Sequence, residues 1–549
     1  MESRKVYIGG YSIISALGST GSTISALEEG RSGLRKEHNS DVCARVDDSQ
    51  FIATQHRSRF DKLLSSCMHN LLDECKLPAG TRFILASTKG AVDLIAGSNF
   101  PPEAFLCSSA ERICRDYNLA PEPLIISNAC ISGLSALITA KRMIECGQCS
   151  HIVVAGCDIL SDFVLEGFKS LQSVSSSNCR PYDIERNGLN LGEACAAIFL
   201  TCSSGAAIKP LISIEGGAIS NDAYHISSPS RTGDGLAQAI DDAIEDAGID
   251  KDEIDLINAH GTATIFNDEM ESRAFALAGL SQKPTNSLKP YFGHTLGASG
   301  ILETAICVHS LQNDIILATP GFSLQGTSRK LNIVTENISR KLQCCLKTAS
   351  GFGGCNAAIV LCKESRHMKT SKVNHEIHTA AECTMVHEGP DFKEFIKKEY
   401  QKLGETNLKF HQMSALCQAA YVAAGKLLST DVLEGIDSKD TAIVLANSTS
   451  TMETDMEHQL NIESGETNRI SPAVFVYTLP NIAIGQLCIK YGIKGDNSFF
   501  LREKNDNFAE DYSRMLIEQG YAKAVICGWC NKAGEELNVN LKLLKRKTE

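Results

Sequence analysis

Short apolar runs of strand length recur along the chain: RFILAST from Arg82, PLIISNA from Pro123, SHIVVAGCD from Ser150 and ACAAIFL from Ala194. Between them lie stretches such as GLSALITAKRMIECG, where apolar residues return every three or four positions. This alternation of strand and helix signals predicts an α/β fold with helices covering a sheet. After about residue 205 the theme restarts with PLISIEGGAIS, the helix GLAQAIDDAIEDAG and the strand EIDLINA, and NAAIVL closes the unit near Leu361. Residues 364–378 are polar and locally basic without apolar periodicity, the pattern of a solvated linker.

Beyond the linker the chain echoes its own beginning. AKRMIECGQCSHIVVAGCD, from Ala140, matches YSRMLIEQGYAKAVICGWCN, from Tyr512, with Glu145, Gly147 and Cys157 falling on Glu518, Gly520 and Cys530 at a constant offset. RFILASTKG likewise resembles TAIVLANSTST from Thr441. The reading is therefore two related halves, residues 1–205 and 206–363, then the linker, then a partial copy of the first half over residues 379–549. The same offset places Glu503 opposite Cys130.

A length of 549 residues exceeds one ordinary core and fits several packing units. A net charge of -12 argues against a nucleic-acid-binding body, because phosphate binding needs a basic surface. No apolar run reaches the ~20 residues of a membrane span, and the N-terminus lacks the apolar stretch and cleavage site of a signal peptide. The expected location is the cytoplasm. Many of the 22 cysteines, among them Cys146, Cys195, Cys307 and Cys417, sit inside apolar segments, as reduced core thiols do. Two pairs, Cys146 with Cys149 and Cys527 with Cys530, have C-x-x-C spacing, but neither has a second ligand pair nearby to complete a zinc site. Cys344 and Cys345 point to opposite faces of a strand.

One cysteine has a different setting. PLIISNAC reads as a buried strand turning at Asn128, and from Ile131 the apolar spacing becomes helical, which places Cys130 at a helix N-terminus. Unpaired N–H groups and the helix dipole favour a thiolate there. Small residues (Ser132, Gly133, Ser135, Ala136, Ala140) keep that helix slim. From this motif alone an inert buried cysteine and a nucleophile are both open. NAHGTATIFNDEME then sets His260 in a Gly/Thr-rich loop after a strand, and NSLKPYFGHTLGASGILE sets Lys289 five residues before His294 and another slim helix. SGFGGCNAAIV is a glycine-rich turn around Phe352 that can bring backbone N–H groups close to a ligand.

Taken in order, the cysteine elbow, CRPYDIERNG, NAHGTAT, SLKPYFGHTLGASG and GFGG resemble the β-ketoacyl-acyl-carrier-protein synthases, over residues 1 to about 363. The resemblance implies a thiolase-like α/β fold of two related halves, with layered helices and mixed sheets, to which the C-terminal half-module is added. It implies a decarboxylative Claisen condensation between an acyl group and malonyl-acyl-carrier protein, in fatty acid, polyketide or polyene synthesis. In its terms Cys130 is the acyl-accepting nucleophile, and His260 and His294 hydrogen-bond the malonyl thioester carbonyl. Lys289 holds His294 in place with Glu303 as charge partner, and Asp268 supports. The N–H groups of Cys130 and Phe352 form the oxyanion hole, Phe352 is also the gate between acyl pocket and malonyl site, and Thr262 and Thr264 contact the pantetheine arm. No metal or organic cofactor is implied. The implied partner is an acyl carrier protein, and the implied assembly a homodimer or a ketosynthase/partner heterodimer.

Three departures from the family pattern stand out. Less chain precedes the nucleophile than is usual, in a region that shapes the acyl pocket and dimer contact. Cys355 stands where the family usually has threonine or serine. The C-terminal half-copy lacks the cysteine elbow, both histidine motifs and the closing GFGG, so it resembles the silent partners of polyketide and polyene ketosynthases. A rival reading of the whole chain is therefore a non-elongating, chain-length-factor-like or scaffold subunit that binds acyl carriers without turnover.

Overall fold

The computed structural model describes residues 4–37, 41–363, 375–428, 433–465 and 470–547. Its main strands form three sheets of one design. The first comprises β1 (Tyr7–Ser15), β2 (Arg82–Ala86), β3 (Leu124–Ile126), β4 (His151–Asp158) and β5 (Ala194–Thr201) in the order β3-β2-β4-β5-β1. The first three of that order run parallel and the last two antiparallel. The second comprises β6 (Ile212–Asn221), β7 (Ile254–Asn258), β8 (Pro284–Asn286), β9 (Cys344–Gly351) and β10 (Cys355–Lys363) in the order β8-β7-β9-β10-β6. The third comprises β11 (Ile377–Glu388), β12 (Thr441–Asn447), β13 (Asn497–Leu501), β14 (Ala524–Ala533) and β15 (Glu536–Arg546) in the order β13-β12-β14-β15-β11. Of the segment read as a linker, residues 364–374 lie outside the described residues, and β11 already begins at Ile377.

Strands such as β4 and β5 are apolar at nearly every position because helices cover both of their faces. Helix α1 (Ser132–Glu145) is buried along almost its whole length between the first two sheets. Helix α2 (Ile265–Leu277) lies on the outer face of the second sheet, beside the helix Asp234–Ala247. Helix α3 (Ser299–Asn313) shares the central layer with α1, where Leu134, Leu137, Ile301 and Ile306 meet Ile84 and Ile359. The slimness of both helices has a structural reason. A Cβ on Gly133 would come within 2.8 Å of the Ile301 nitrogen, and one on Gly300 within 2.6 Å of the Leu134 nitrogen. Only glycine lets the two backbones cross so closely.

The third sheet joins the first edge to edge. Strand β13 pairs antiparallel with β3, Phe500 opposite Ile126 and Leu501 opposite Ile125, so two strands with the same place in their sheets meet each other. The Asn128 side chain spans the joint, accepting from the Phe499 N–H at 2.8 Å and donating to the Asn497 carbonyl at 2.8 Å. Arg142 on α1 adds an ion pair to Asp496 at 2.7 Å and a hydrogen bond to the Tyr512 hydroxyl at 3.0 Å, both groups nearly fully buried. Helix α4 (Ile482–Tyr491) completes the contact, with Gly485 packed on the Gly353 backbone.

Strand register corrects one detail of the internal echo. Ile84 pairs with Leu124 and Val444 with Ser498, while Arg82 pairs with Ile152 and Ala442 with Val525. Leu124 therefore corresponds to Ser498, one position beyond the offset that relates Cys157 to Cys530. The connection to the next helix is one residue shorter in the repeat, and Cys130 falls within that connection, opposite Glu503 or Lys504. Both residues are exposed in a loop.

The cysteines also differ in part from expectation. Cys344 is bonded to Cys362 across the β9–β10 pair, which the sequence reading of reduced thiols did not foresee. Cys527 faces the central core and Cys530 the outer one, opposite sides of β14, so their spacing does not converge on a metal.

Replacing Asn128 by alanine leaves a buried N–H and a buried carbonyl unpaired at the β3–β13 joint. Each unmade bond costs ~1–3 kcal/mol, so N128A is expected to lose about 2–4 kcal/mol. Urea unfolding measures this, and an unchanged midpoint would show that the joint contributes nothing.

Candidate active site

Strand β3 ends at Ile126, and the chain turns sharply through Ala129, a non-glycine residue at φ 47°. That conformation costs about 1–2 kcal/mol and sets Cys130 in a tight turn (Ala129–Ile131) just ahead of α1. Cys130 is 8% exposed. The β8–α3 connection delivers His294 to the same point, with its Nε2 3.0 Å from Cys130 Sγ and its Nδ1 3.1 Å from Ser299 Oγ. The loop after β7 brings His260, whose ring lies edge-on to that of His294 with centroids 5.1 Å apart. The backbone N–H groups of Cys130 and Phe352 both face the sulfur. Gly351 allows that approach, since a Cβ there would sit 3.1 Å from the Cys130 nitrogen, and Gly353 (φ 91°) and Gly354 (φ 72°) complete the turn in conformations that favour glycine.

These groups lie at the base of a cavity of about 270 Å³ whose walls include Thr262, Thr264, Phe266, Asn267 and Phe352. The Thr262 and Thr264 hydroxyls are 2.9 Å apart. Cys130, Phe168 and Phe352 also line a second, smaller cavity. Phe168 and Phe352, which line both spaces, stack with centroids 6.0 Å apart.

Behind the histidines is a buried charge cluster. Lys289 Nζ donates to Glu303 Oε1 at 2.5 Å, and Lys347 Nζ donates to Glu303 Oε2 at 2.5 Å, with all three side chains 3% exposed or less. Burial alone would raise the Glu303 carboxyl, but the two ammonium groups hold it below its ordinary value. Two cations against one anion leave net positive charge beside the imidazoles. Burial, with Lys289 and Lys347 adding to it, keeps both His260 and His294 well below the usual histidine range. Both rings are therefore neutral at pH 7.

The thiol departs from expectation. A helix N-terminus favours thiolate, yet burial pushes Cys130 up to about 12, with Lys289 pulling down and the nearby Asp158 pushing up. In this dry pocket desolvation outweighs the dipole and the lysine. The resting pair is neutral thiol against neutral imidazole.

Asp268 does not touch the histidines. It is fully buried, accepts from the Tyr182 N–H at 2.7 Å and the Ala263 N–H at 3.2 Å, and ties the loop carrying Tyr182 to the loop carrying His260. Burial and the neighbouring Glu271 raise its carboxyl to about 7. Glu271, missed in the sequence, holds the His260 and Gly261 N–H groups at 2.8 and 2.7 Å and accepts from the Tyr182 hydroxyl at 3.0 Å. Lys347 was missed too, although a lysine within the apolar strand CCLKTASG was a signal. The C-terminal module supplies Asn481, which donates to the Phe352 carbonyl at 2.8 Å. Cys355 lies beneath the turn, its thiol 3.2 Å from the Phe352 carbonyl.

The Cys130, His260 and His294 donor atoms lie within 4.8 Å of one another, a spacing a metal could use. Binding there would need the thiolate and would set a dication beside the lysine pair, so the donor set suits the metal poorly. Among the described residues no helix is long and apolar enough to cross a membrane.

A sheet of this order, repeated around a buried Cys–His–His cluster, is the thiolase-like arrangement of the ketosynthases. Residues 89–206 match the family "Beta-ketoacyl synthase, N-terminal domain" and residues 211–323 match "Beta-ketoacyl synthase, C-terminal domain". It is 32% identical over 255 residues to 3-oxoacyl-[acyl-carrier-protein] synthase 2 of Vibrio cholerae, a match spanning 43% of this chain and 61% of that relative. It is 31% identical over 242 residues to Nodulation protein E of Rhizobium leguminosarum bv. trifolii, spanning 43% of this chain and 60% of the relative. A ketosynthase (ApeO) solved in complex with its chain length factor (ApeC) from Xenorhabdus doucetiae superposes with a TM-score of 0.59 at 26% identity, over 66% of this chain and 98% of that one. The structure described as PfaC keto synthase–chain length factor shares the fold at 15% identity, with a TM-score of 0.78 over 100% of this chain and 78% of its own.

With the thiol protonated at neutral pH, alkylation of Cys130 by iodoacetamide should speed up about tenfold per pH unit from about pH 7 to about pH 10. Peptide mass spectrometry follows the rate at this residue. A plateau below pH 8 would mean a resting thiolate.

Proposed function

We propose that this chain is a β-ketoacyl-acyl-carrier-protein synthase, joining a carrier- or CoA-bound acyl group to malonyl-carrier with loss of CO₂, in fatty acid, polyketide or polyene synthesis. The observation that carries the reading is the contact between Cys130 and His294, with a second neutral histidine, His260, beside it in a cavity edged by Thr262 and Thr264. The pantetheine arm of an acyl carrier protein enters past the two threonines. Cys130 attacks the acyl thioester as its proton passes to His294 Nε2, the oxyanion rests on the Cys130 and Phe352 N–H groups, and the carrier thiolate leaves with that proton. Malonyl-carrier then binds, and the two neutral imidazoles donate to its thioester carbonyl. Breaking the C–C bond to the carboxylate releases CO₂ and leaves an enolate held by those donors. The enolate carbon attacks the Cys130 thioester, the cysteine sulfur leaves as a thiolate that takes up a proton from water, and the β-ketoacyl-carrier product is released. Lys289, Lys347 and Glu303 position the site and keep both imidazoles in the donor form. We place this work in the cytoplasm.

The C-terminal module, on this proposal, is non-catalytic and stands in for a partner subunit within the chain. Its support is the β13–β3 pairing, the Asn481 bond to Phe352 and the exposed Glu503 and Lys504 in place of a nucleophile. A homodimer through the β3 edge is not required, because that edge is already paired.

The test is intact mass after incubation with a ladder of acyl-carrier thioesters. An acyl adduct is expected on the wild type and not on Cys130→Ala. No adduct with any acyl length would favour a non-elongating subunit.

A further inference from the structure

A second cavity, lined by Cys130, Phe168 and Phe352 among others, has a volume of about 20 Å³. Val164, Leu296, Phe475 and Leu479 give it apolar walls, two of them from the C-terminal module. One lining residue is a lysine. Lys89 is held at both ends: its backbone N–H points to Asp158 Oδ1 at 3.3 Å, and its ammonium donates to the Thr478 carbonyl, faces Asp455 Oδ1 at 3.5 Å and lies 5.5 Å from the Phe163 ring centroid. Asp455 is fixed in turn by the Thr451 hydroxyl, 3.2 Å from each of its oxygens. Leucine and phenylalanine walls yield by rotating. Lys89 yields only by drawing its ammonium away from a carboxylate inside a dry interface, which leaves two uncompensated buried charges.

We infer that this small cavity is the acyl pocket, that Lys89, pinned across the joint by Asp455 and the Thr478 carbonyl, is its floor, and that it confines the acyl group on Cys130 to about two or three carbons, since beyond the thioester carbonyl the space holds only one or two water-sized groups. The inference rests on the proposed acyl transfer to Cys130. It makes Lys89 a specificity-determining residue that no motif singles out, and it assigns a short acyl thioester as the primer.

The test uses the full chain with acetyl-, butyryl-, hexanoyl- and octanoyl-pantetheine, reading the rate of adduct formation at Cys130 by intact mass. The wild type is expected to load octanoyl about tenfold or more slower than acetyl, the scale of discrimination a closed apolar pocket provides. In Lys89→Ala combined with Asp455→Asn, which removes both charges together, the octanoyl-to-acetyl ratio should rise by about tenfold. If that variant lacks a cooperative melt, Leu479→Ala opens the opposite wall and should raise the hexanoyl-to-acetyl ratio instead. Equal loading of octanoyl and acetyl by the wild type, or unchanged ratios in folded variants, overturns the inference. No adduct from any primer would overturn the acyl-transfer reading itself and this inference with it.

Discussion

Two glycines, Gly133 and Gly300, set the distance on which the site depends. They let α1 and α3 cross with their backbones in contact, and each helix begins just after a residue of the chemical cluster: Cys130 before α1, His294 before α3. Close-packed backbones have no side chains to reshuffle, so the separation of thiol and imidazole is set by main-chain geometry. Two sheets clamp the pair of helices from either side, and the whole central layer supports one 3.0 Å contact.

Around that contact the protein spends stability on electrostatics. Lys289, Lys347 and Glu303 form a buried triad whose desolvation cost no simple packing argument recovers. Its effect reaches the neighbours, because the two ammonium groups add to burial in suppressing protonation of both histidines. A neutral imidazole keeps one N–H to donate to a developing oxyanion and one lone pair free to accept a proton. The strained Ala129 turn and the glycine-lined Phe352 loop point the same way, as conformational cost concentrated at the site.

Much of this was legible in the chain. Strand-length apolar runs, the slim helices and the ordered motifs located Cys130, His260, Lys289 and His294, because each sits in a turn with a local signature. Glu271 and Lys347 escaped notice because they act from the interior of a helix and a strand, where only burial distinguishes them from surface charges. Lys89 and Asn481 were hidden for another reason: their partners are hundreds of positions away, across a joint the sequence offered only as a repeat. The Cys130 protonation state is not legible in the sequence, because helix position is local, whereas desolvation depends on everything packed around the sulfur.

The antiparallel seam between β3 and β13 has a consequence in kinetics and inheritance. When two such sheets meet on separate chains, their pairing is lost on dilution and the copies can exchange. Here both edges are encoded in one polypeptide, so the second finds the first at an effective concentration of the order of millimolar whatever the level of expression. Stoichiometry is one to one by construction, and neither edge is left open to recruit another strand. The two sides of the seam also mutate on a single gene, so a change beside Ile126 and its compensation beside Phe500 travel together.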